Sequence, residues 1–440
     1  MTFVDSFKTA IKKGTDCGFL FRICLVALVG RIFFLIFLRD HLEVDTDAYL
    51  AHAQSLLDSG GYFKPGTEIP TSFRPPLVPL MYAGVLMLGG NVLMIGFLQV
   101  LLGTATVWYG GRAAWNLTNS AGGIFTALIL AGDPILIYAN VSLMTETLFT
   151  FLLAYGFFRA TRISNSSKYR EFFFLGCIGG LLALCRPGIW AFYLILFVGA
   201  FLLILKMKAR QFCFLKGTTV GLGILLVVAP WGVRNYLTMG DPILMTTHGG
   251  YTLLLGNNNT FYEEVVRQPW GTIWQGDSLA AWQEQLEQDM IRDLGPERAR
   301  LEIPRDHWMQ NQAYDWISNN PAKFREASWL RLRRFWALKP NETPFENKLF
   351  DRGTTAVFGV IYLFAAWGIV MWFKYARGNL RQMTFVSALL VCMVSFCLIH
   401  TVYWSNMRMR APVEVCLALL ASGTVLKSIK LDSEIDPQTL

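Results

Sequence analysis

The sequence predicts an all-α polytopic membrane protein, a bundle of about ten transmembrane helices with outer-face juxtamembrane helices and a small exoplasmic domain. Three observations predict it. The chain is 53 % hydrophobic and only 16 % charged over 440 residues, too little polar surface for a soluble globule of that size. Apolar segments that reach, or nearly reach, the roughly 20 residues of a span recur along it. The basic residues behind its net charge of +8 sit in short clusters between those segments, as cytoplasmic loops require, and this excludes nucleic acid as a partner.

The expected spans are 19–38, 92–110, 121–138, 145–162, 172–186, 188–205, 216–232, 354–373, 383–404 and 412–427. With the N-terminus inside, the inner connections receive Lys8, Lys12, Lys13 and Arg22, then Arg112, then Arg159, Arg162, Lys168 and Arg170. The later ones receive Lys206, Lys208, Arg210 and Lys216, then Lys374, Arg377 and Arg381, then Lys427 and Lys430. Charge and span count therefore agree, with both termini inside. The first run, Phe19 to Leu38, is long, contains Arg31 and lacks a small-residue cleavage site, so it reads as a retained span. Leu77 to Leu88 is apolar but short, and counting it as a span would reverse every later loop. It reads as a helix lying along the outer interface.

These assignments divide the chain into an N-terminal transmembrane module, 1–232, containing a first outer loop at 39–91; an exoplasmic loop domain, 233–353; C-terminal transmembrane helices, 354–427; and a cytoplasmic tail, 428–440. Within the loop domain Ser278 opens a helix that Gly295 and Pro296 end. The basic, aromatic stretch "AKFREASWLRLRRFWALKP" reads as an interfacial anchor with Trp329, Leu332, Phe335 and Trp336 on one face. The eight cysteines lie in or beside apolar runs without metal-ligand spacing and read as small core residues.

With the topology fixed, the unusual polar residues gather on the outer face. They are Asp45 and Asp47 in "HLEVDTDAYLAHA", Arg74 in "TSFRPPLVPL", Asp133 and Glu146 in "AGDPILIYANVSLMTETLF", and Arg186 in "CRPGIW". Arg234 and Asn235 in "APWGVRNYLTMGDP" and His400, Arg408 and Arg410 in "HTVYWSNMRMRAPVEV" complete the set. Charged groups at membrane depth are costly and normally face a protein cavity with a partner. Carboxylates and arginines together on one face suggest a site for an anion plus a general base. The chemistry that fits is transfer from a phosphate-linked lipid donor: arginines hold the phosphate and stabilise its growing charge, and a carboxylate takes the proton of an acceptor hydroxyl. A helix starting near Thr46 would put Asp45 at its N-cap with Tyr49 and His52 on the same face and Asp47 pointing elsewhere. Asp45 is then the preferred base and Asp47 its alternate.

The ordered set "DTDAY", "FRPPLVPL", "MTETLF", "RPG", "PWGVRNY", "GNN" and "RMRAP" resembles bacterial GT-C-type membrane glycosyltransferases, in the grouping of dolichyl-phosphate-mannose protein mannosyltransferases and lipid A aminoarabinose transferases. The resemblance implies a GT-C-type bundle in which residues 1–232 form the catalytic module. It also implies a polyprenyl-phosphate sugar donor and an inverting transfer to an acceptor glycan, lipid or protein. The catalytic Asp it implies falls on Asp45, four residues before Tyr49, although Thr46 stands where the related motif often has Glu and the second acid comes at Asp47. Glu146 falls where an acid positions the acceptor or a divalent cation, and metal dependence is open because two carboxylates position a hydroxyl with or without an ion. Arg408 and Arg410 match an Arg-x-Arg-x-Pro element for the donor phosphate, assisted by Arg234; Tyr49, Arg74, Arg186, Asn235 and His400 complete the expected substrate contacts. Asn257 and Asn258 read as turn formers rather than sugar ligands.

The expected location is a bacterial inner membrane, with the site facing the periplasm. Two rivals stand beside this reading. A polysaccharide polymerase or ligase with a diphosphate-linked donor would also want outer-face arginines but depend less on the acids. A lipid or sugar-phosphate transporter would show midplane charges and internal repeats, neither of which is visible.

Overall fold

In a computed structural model the described residues are 3–164, 166–204, 210–339 and 348–429; Lys206, Lys208 and residues 430–440 of the expected tail lie outside them. The chain enters through α1 (Phe3–Phe37) and makes a long first loop carrying α2 (Tyr49–Ser59) and α3 (Leu77–Met87). It continues through α4 (Val92–Leu117), α5 (Ser120–Gly132), α6 (Pro134–Ala139), α7 (Glu146–Arg162), α8 (Tyr169–Cys185), α9 (Ile189–Ile204) and α10 (Arg210–Met239). A second long loop folds as α11 (Gly249–Gly256), α12 (Asn259–Phe261), α13 (Asp277–Leu294), α14 (Pro296–Ala299), α15 (Glu302–Asn319) and α16 (Pro321–Phe335). Helices α17 (Lys348–Tyr375), α18 (Leu380–Val402) and α19 (Ala411–Ala421) follow. Among the described residues there is no named strand, only an isolated bridge between Phe63 and Pro70.

Each of the ten expected spans is helical. Six are long and apolar enough to cross a membrane: Asp16–Phe37, Val92–Leu117, Phe214–Met239, Lys348–Tyr375, Leu380–Val402 and Met407–Leu426. The others, α5, α7, α8 and α9, run 13, 17, 17 and 16 residues. Asn91 and Asn119 start α4 and α5 by accepting from the amides of Met94 and Gly122, satisfying donors that have no partner inside the helix. Helix α3 has 11 residues, about 16 Å long, and does not reach across a bilayer.

Two features position the site. Helices α8 and α10 meet through glycine: a Cβ on Gly176 would lie 2.1 Å from the carbonyl oxygen of Val220, and one on Gly223 would lie 2.3 Å from that of Phe173. Small residues bring two backbones together where apolar burial supplies no drive between helices. Helix α19 is enclosed along its whole length, from Ala411 to Ala421, and its sequence is accordingly apolar all round apart from Glu414. Its entry turn carries the Arg-x-Arg element.

Several expected boundaries move. Helix α10 runs to Met239 and α17 begins at Lys348, so the second long loop is shorter than 233–353. The expected one-sided aromatic face of α16 divides: Trp329 is 62 % exposed and Phe335 fully buried, because six residues place them about 120° apart around the helix. Two of its basic residues turn inward. Buried Arg331 donates to the carbonyls of Gly256 and Thr401, at the ends of α11 and α18, where unsatisfied carbonyls favour a cation.

Candidate active site

A cavity of about 1310 Å³ opens between the first loop, the second loop and the start of α19. Of the residues expected from the sequence it collects Asp47, Tyr49, Arg74, Glu146, Arg186, His400 and Arg408. Asp45, Arg234, Asn235 and Arg410 are outside its lining.

The first loop turns the two aspartates in different directions. Helix α2 begins at Tyr49, three residues later than expected, and its N-cap is Ala48 with φ 60° and ψ 24°. Ala48 is the one non-glycine residue with positive φ among the described residues, a conformation costing about 1–2 kcal/mol. That left-handed residue turns the chain between Asp47 and the helix. Asp47 points into the cavity, where its carboxylate accepts from Arg74 at 2.9 Å. Asp45 instead turns back, and its Oδ2 accepts from the amide of Ala51 at 2.9 Å, tying down the first turn of α2. The expected N-cap at Asp45 falls instead on Ala48; Asp45 holds the Ala51 amide from outside the cavity lining, and Asp47, expected to point elsewhere, faces the cavity.

Glu146 is the first residue of α7 and 2 % exposed. An acid at a helix N-terminus gains from the unpaired amides there. Its Oε1 lies 3.5 Å from Arg186 Nη1 and 3.4 Å from Arg408 Nε, while its buried Oε2 makes no hydrogen bond. Arg186 is the residue between α8 and Pro187, held extended as a residue before proline must be. Arg408 sits in the 3-10 turn Met407–Arg410 and reaches Asp47 Oδ2 with Nη2 at 3.6 Å. One guanidinium thus bridges both cavity carboxylates, with Arg74 on the far side of Asp47 and Arg186 on the far side of Glu146. The Arg74 guanidinium also lies over the Tyr49 ring, 5.5 Å from its centroid. His400 stacks on Phe335 at 5.5 Å along the same wall.

The remaining expected ligands hold structure. Arg410 is fully buried, paired with the equally buried Glu414, and its Nη1 donates to the carbonyls of Phe335 and Ala337, both at 2.9 Å. Two residues apart on a three-residue turn, the arginines of Arg-x-Arg point to different sides, so only Arg408 meets the cavity. Arg234 donates to the carbonyls of Thr71 and Tyr62 and to Asn235, and Asn235 donates to Ile243; together they fasten the first loop to the end of α10. Asp133 caps α6 through the amide of Leu136 and is buried. Asn257 and Asn258 are buried turn and cap residues, and Asn258 accepts from the Phe261 amide at 2.7 Å.

Sequence reasoning missed Glu302, which accepts from the Ser72 amide at 2.8 Å and from the Thr71 hydroxyl at 2.5 Å, joining the first loop to α15. Nothing in its charge-rich surroundings marks it. It also missed Arg334 and Lys339 in the cavity lining; Lys339 pairs with Asp351 at 3.3 Å. His248 lines the cavity too, and burial holds its imidazole well below its ordinary range, hence neutral. Among the described residues no three His, Cys, Asp or Glu side chains converge as a metal-ligand set. The two cavity acids face guanidiniums instead.

The helical framework around this cavity has a GT-C-type fold, as its likeness to two solved structures shows. The archaeal oligosaccharyltransferase AglB from Archaeoglobus fulgidus, solved with an inhibitory peptide and a dolichol-phosphate, superposes with TM-score 0.51 at 14 % identity over 96 % of this chain and 51 % of its own. The oligosaccharyltransferase of Archaeoglobus fulgidus in the apo form gives TM-score 0.54 at 15 % identity over 96 % and 52 %. The chain therefore spans about half the length of these structures. Residues 73–233 match the family model of dolichyl-phosphate-mannose-protein mannosyltransferases, as the resemblance read from the motifs implies. That stretch contains Arg74, Glu146 and Arg186, whereas Asp47 and Arg408 lie outside it. No curated protein matches the chain.

Proposed function

We propose that this protein is a membrane glycosyltransferase that moves a monosaccharide from a polyprenyl-phosphate donor to an acceptor hydroxyl on the exoplasmic face of a bacterial inner membrane, with inversion. The observation that carries the reading is the Arg408 bridge between Asp47 and Glu146. A site built only to bind an anion has no use for two acids among its arginines, one of them buried. A site that must also deprotonate a hydroxyl does.

The donor phosphate, a stronger partner for guanidinium than carboxylate, draws Arg408 and Arg186 toward itself. Asp47 then takes the proton of the acceptor hydroxyl, oriented by Glu146, as its oxygen attacks the anomeric carbon from the side opposite the phosphate. The new glycosidic bond forms as the bond from that carbon to phosphate oxygen breaks. The electron pair leaves with polyprenyl phosphate, whose charge the arginines stabilise, and configuration inverts. Phe358, Phe396 and Ile399 give the cavity an apolar side suited to the first units of the lipid. The wild type and the Asp47→Asn and Asp45→Asn variants are compared by single-turnover release of polyprenyl phosphate from a panel of lipid-phosphate monosaccharides, with membrane extract as acceptor. The reading expects Asp47→Asn to lose about 10²–10⁴-fold and Asp45→Asn to keep most of its rate per folded molecule. Full release from Asp47→Asn removes it from catalysis.

A further inference from the structure

The second long loop is rich in acids and bases, and Arg334 and Lys339 near its end line the cavity, yet the wall it gives between Met245 and Gln310 is neutral. Between Met245 and Gln310, among the described residues, it contributes no Asp, Glu, Lys or Arg side chain to the lining. Its charges are spent on each other elsewhere: Arg305 pairs with Glu287 at 2.6 Å, and Arg292 with Asp289 at 2.6 Å. In their place the wall presents rings and amides.

The rings form a continuous track. From Phe73 to His248 the centroids are 4.3 Å apart, from His248 to Tyr251 5.5 Å, and from Tyr251 to Trp282 6.3 Å. Trp282 lies 5.1 Å from Trp274, which lies 6.0 Å from Phe261. All but Trp282 line the cavity, and Tyr251 and Trp274 are partly exposed to it. The track starts beside the reaction centre, since the Arg74 guanidinium that binds Asp47 stands 5.2 Å from the Phe73 ring centroid. Alongside it, Gln283 spends an amide hydrogen on the Tyr251 hydroxyl at 2.8 Å and Gln310 one on Asp306 at 3.2 Å, which leaves their carbonyls to accept.

We propose that this track is the acceptor subsite and that the acceptor is a neutral carbohydrate. The inference rests on the glycosyltransferase reading and names its second substrate. A sugar ring has an apolar C–H face that packs on the electron-rich face of an aromatic ring, and neutral hydroxyls that amides satisfy without charge. A phosphorylated or carboxylated acceptor would be desolvated against this neutral stretch, because the cations near it are already engaged: Arg74 with Asp47, Arg334 with the Thr272 carbonyl and Lys339 with Asp351.

Three acceptors are compared in polyprenyl-phosphate release: neutral oligosaccharides from the cell envelope, a phosphorylated lipid A glycolipid, and a Ser/Thr-rich peptide. Binding of the same three to Asp47→Asn protein is read separately by saturation-transfer NMR. The neutral oligosaccharides are expected to bind and to stimulate release. Trp274→Ala is expected to raise their KM about tenfold with little change in kcat, the worth of one stacked ring. Gln283→Ala, at an exposed position, should raise KM in the same sense and guards against a Trp274 variant that does not fold. Preference for the peptide or the phosphorylated glycolipid, or neutral oligosaccharides that bind equally well to both variants, overturns the proposal. Donor cleavage that fails with every acceptor while neutral oligosaccharides still bind through Trp274 overturns the glycosyltransferase reading and leaves the subsite standing.

Discussion

Arg408 reaches Asp47 at 3.6 Å and Glu146 at 3.4 Å, one guanidinium between two acids that come from different parts of the chain. If that bridge is where the donor phosphate enters, charge alone does not suffice. Arg408→Lys keeps the charge but loses the planar fork, and kcat/KM for the lipid donor is expected to fall about tenfold; Arg408→Ala should fall further. Equal rates for Arg408→Lys and wild type in single-turnover release would show that no fork is used.

Ala48 holds a left-handed conformation at the hinge between Asp47 and α2. Ala48→Gly removes the steric cost, so thermal unfolding in detergent is expected to show stabilisation by about 1 kcal/mol. Catalysis should decline severalfold, because the freed hinge no longer fixes Asp47. A variant that gains neither stability nor loses rate places the strain outside the mechanism.

The Arg410–Glu414 pair is buried on both sides. Removing one partner leaves an uncompensated charge, and Arg410→Met is expected to destabilise by about 3–5 kcal/mol. Replacing both, with Arg410→Met and Glu414→Leu, should recover much of that loss. A phosphate ligand would behave differently: donor KM would rise in the double variant even when stability returns, which the buried position of Arg410 argues against.

His52 stacks on Tyr62 at 5.1 Å, and its Nδ1 donates to the Phe63 carbonyl. Burial pushes its imidazole down to about 4. The folded protein therefore resists protonating it while the unfolded chain accepts the proton near 6.5, so this contribution is fully present above pH 6.5 and is lost as pH falls toward 4. The loss is roughly 3 kcal/mol across that window. Stability measured against pH for wild type and His52→Phe should diverge between those limits, the variant having the shallower acid slope. Parallel curves would mean that His52 is not held neutral.

Gly176 leaves no room for a side chain against the Val220 carbonyl at 2.1 Å. Gly176→Ala must separate α8 from α10, backbone against backbone, and is expected to cost at least about 1–3 kcal/mol. Gly217, whose Cβ would meet nothing within 4 Å, is the control on the same helix pair: Gly217→Ala should be neutral or slightly stabilising.

Much of the helix frame was legible in the sequence because a span needs a long apolar run and inner loops need positive charge, and both are local properties. The same locality let the motifs around Arg74, Glu146 and Arg186 be read in order. What the sequence did not determine was the direction of each side chain where the backbone leaves a helix. Asp45 and Asp47 differ by two positions, and a single left-handed residue at Ala48 decided which faces the cavity. Arg408 and Arg410 also differ by two, and the 3-10 turn sent one to the acids and the other into the core. Such choices are made by packing between distant segments, as when Glu302 draws in the first loop or the Phe335 and Ala337 carbonyls receive Arg410. Periodicity records which residues avoid water; only the tertiary structure decides which polar groups meet.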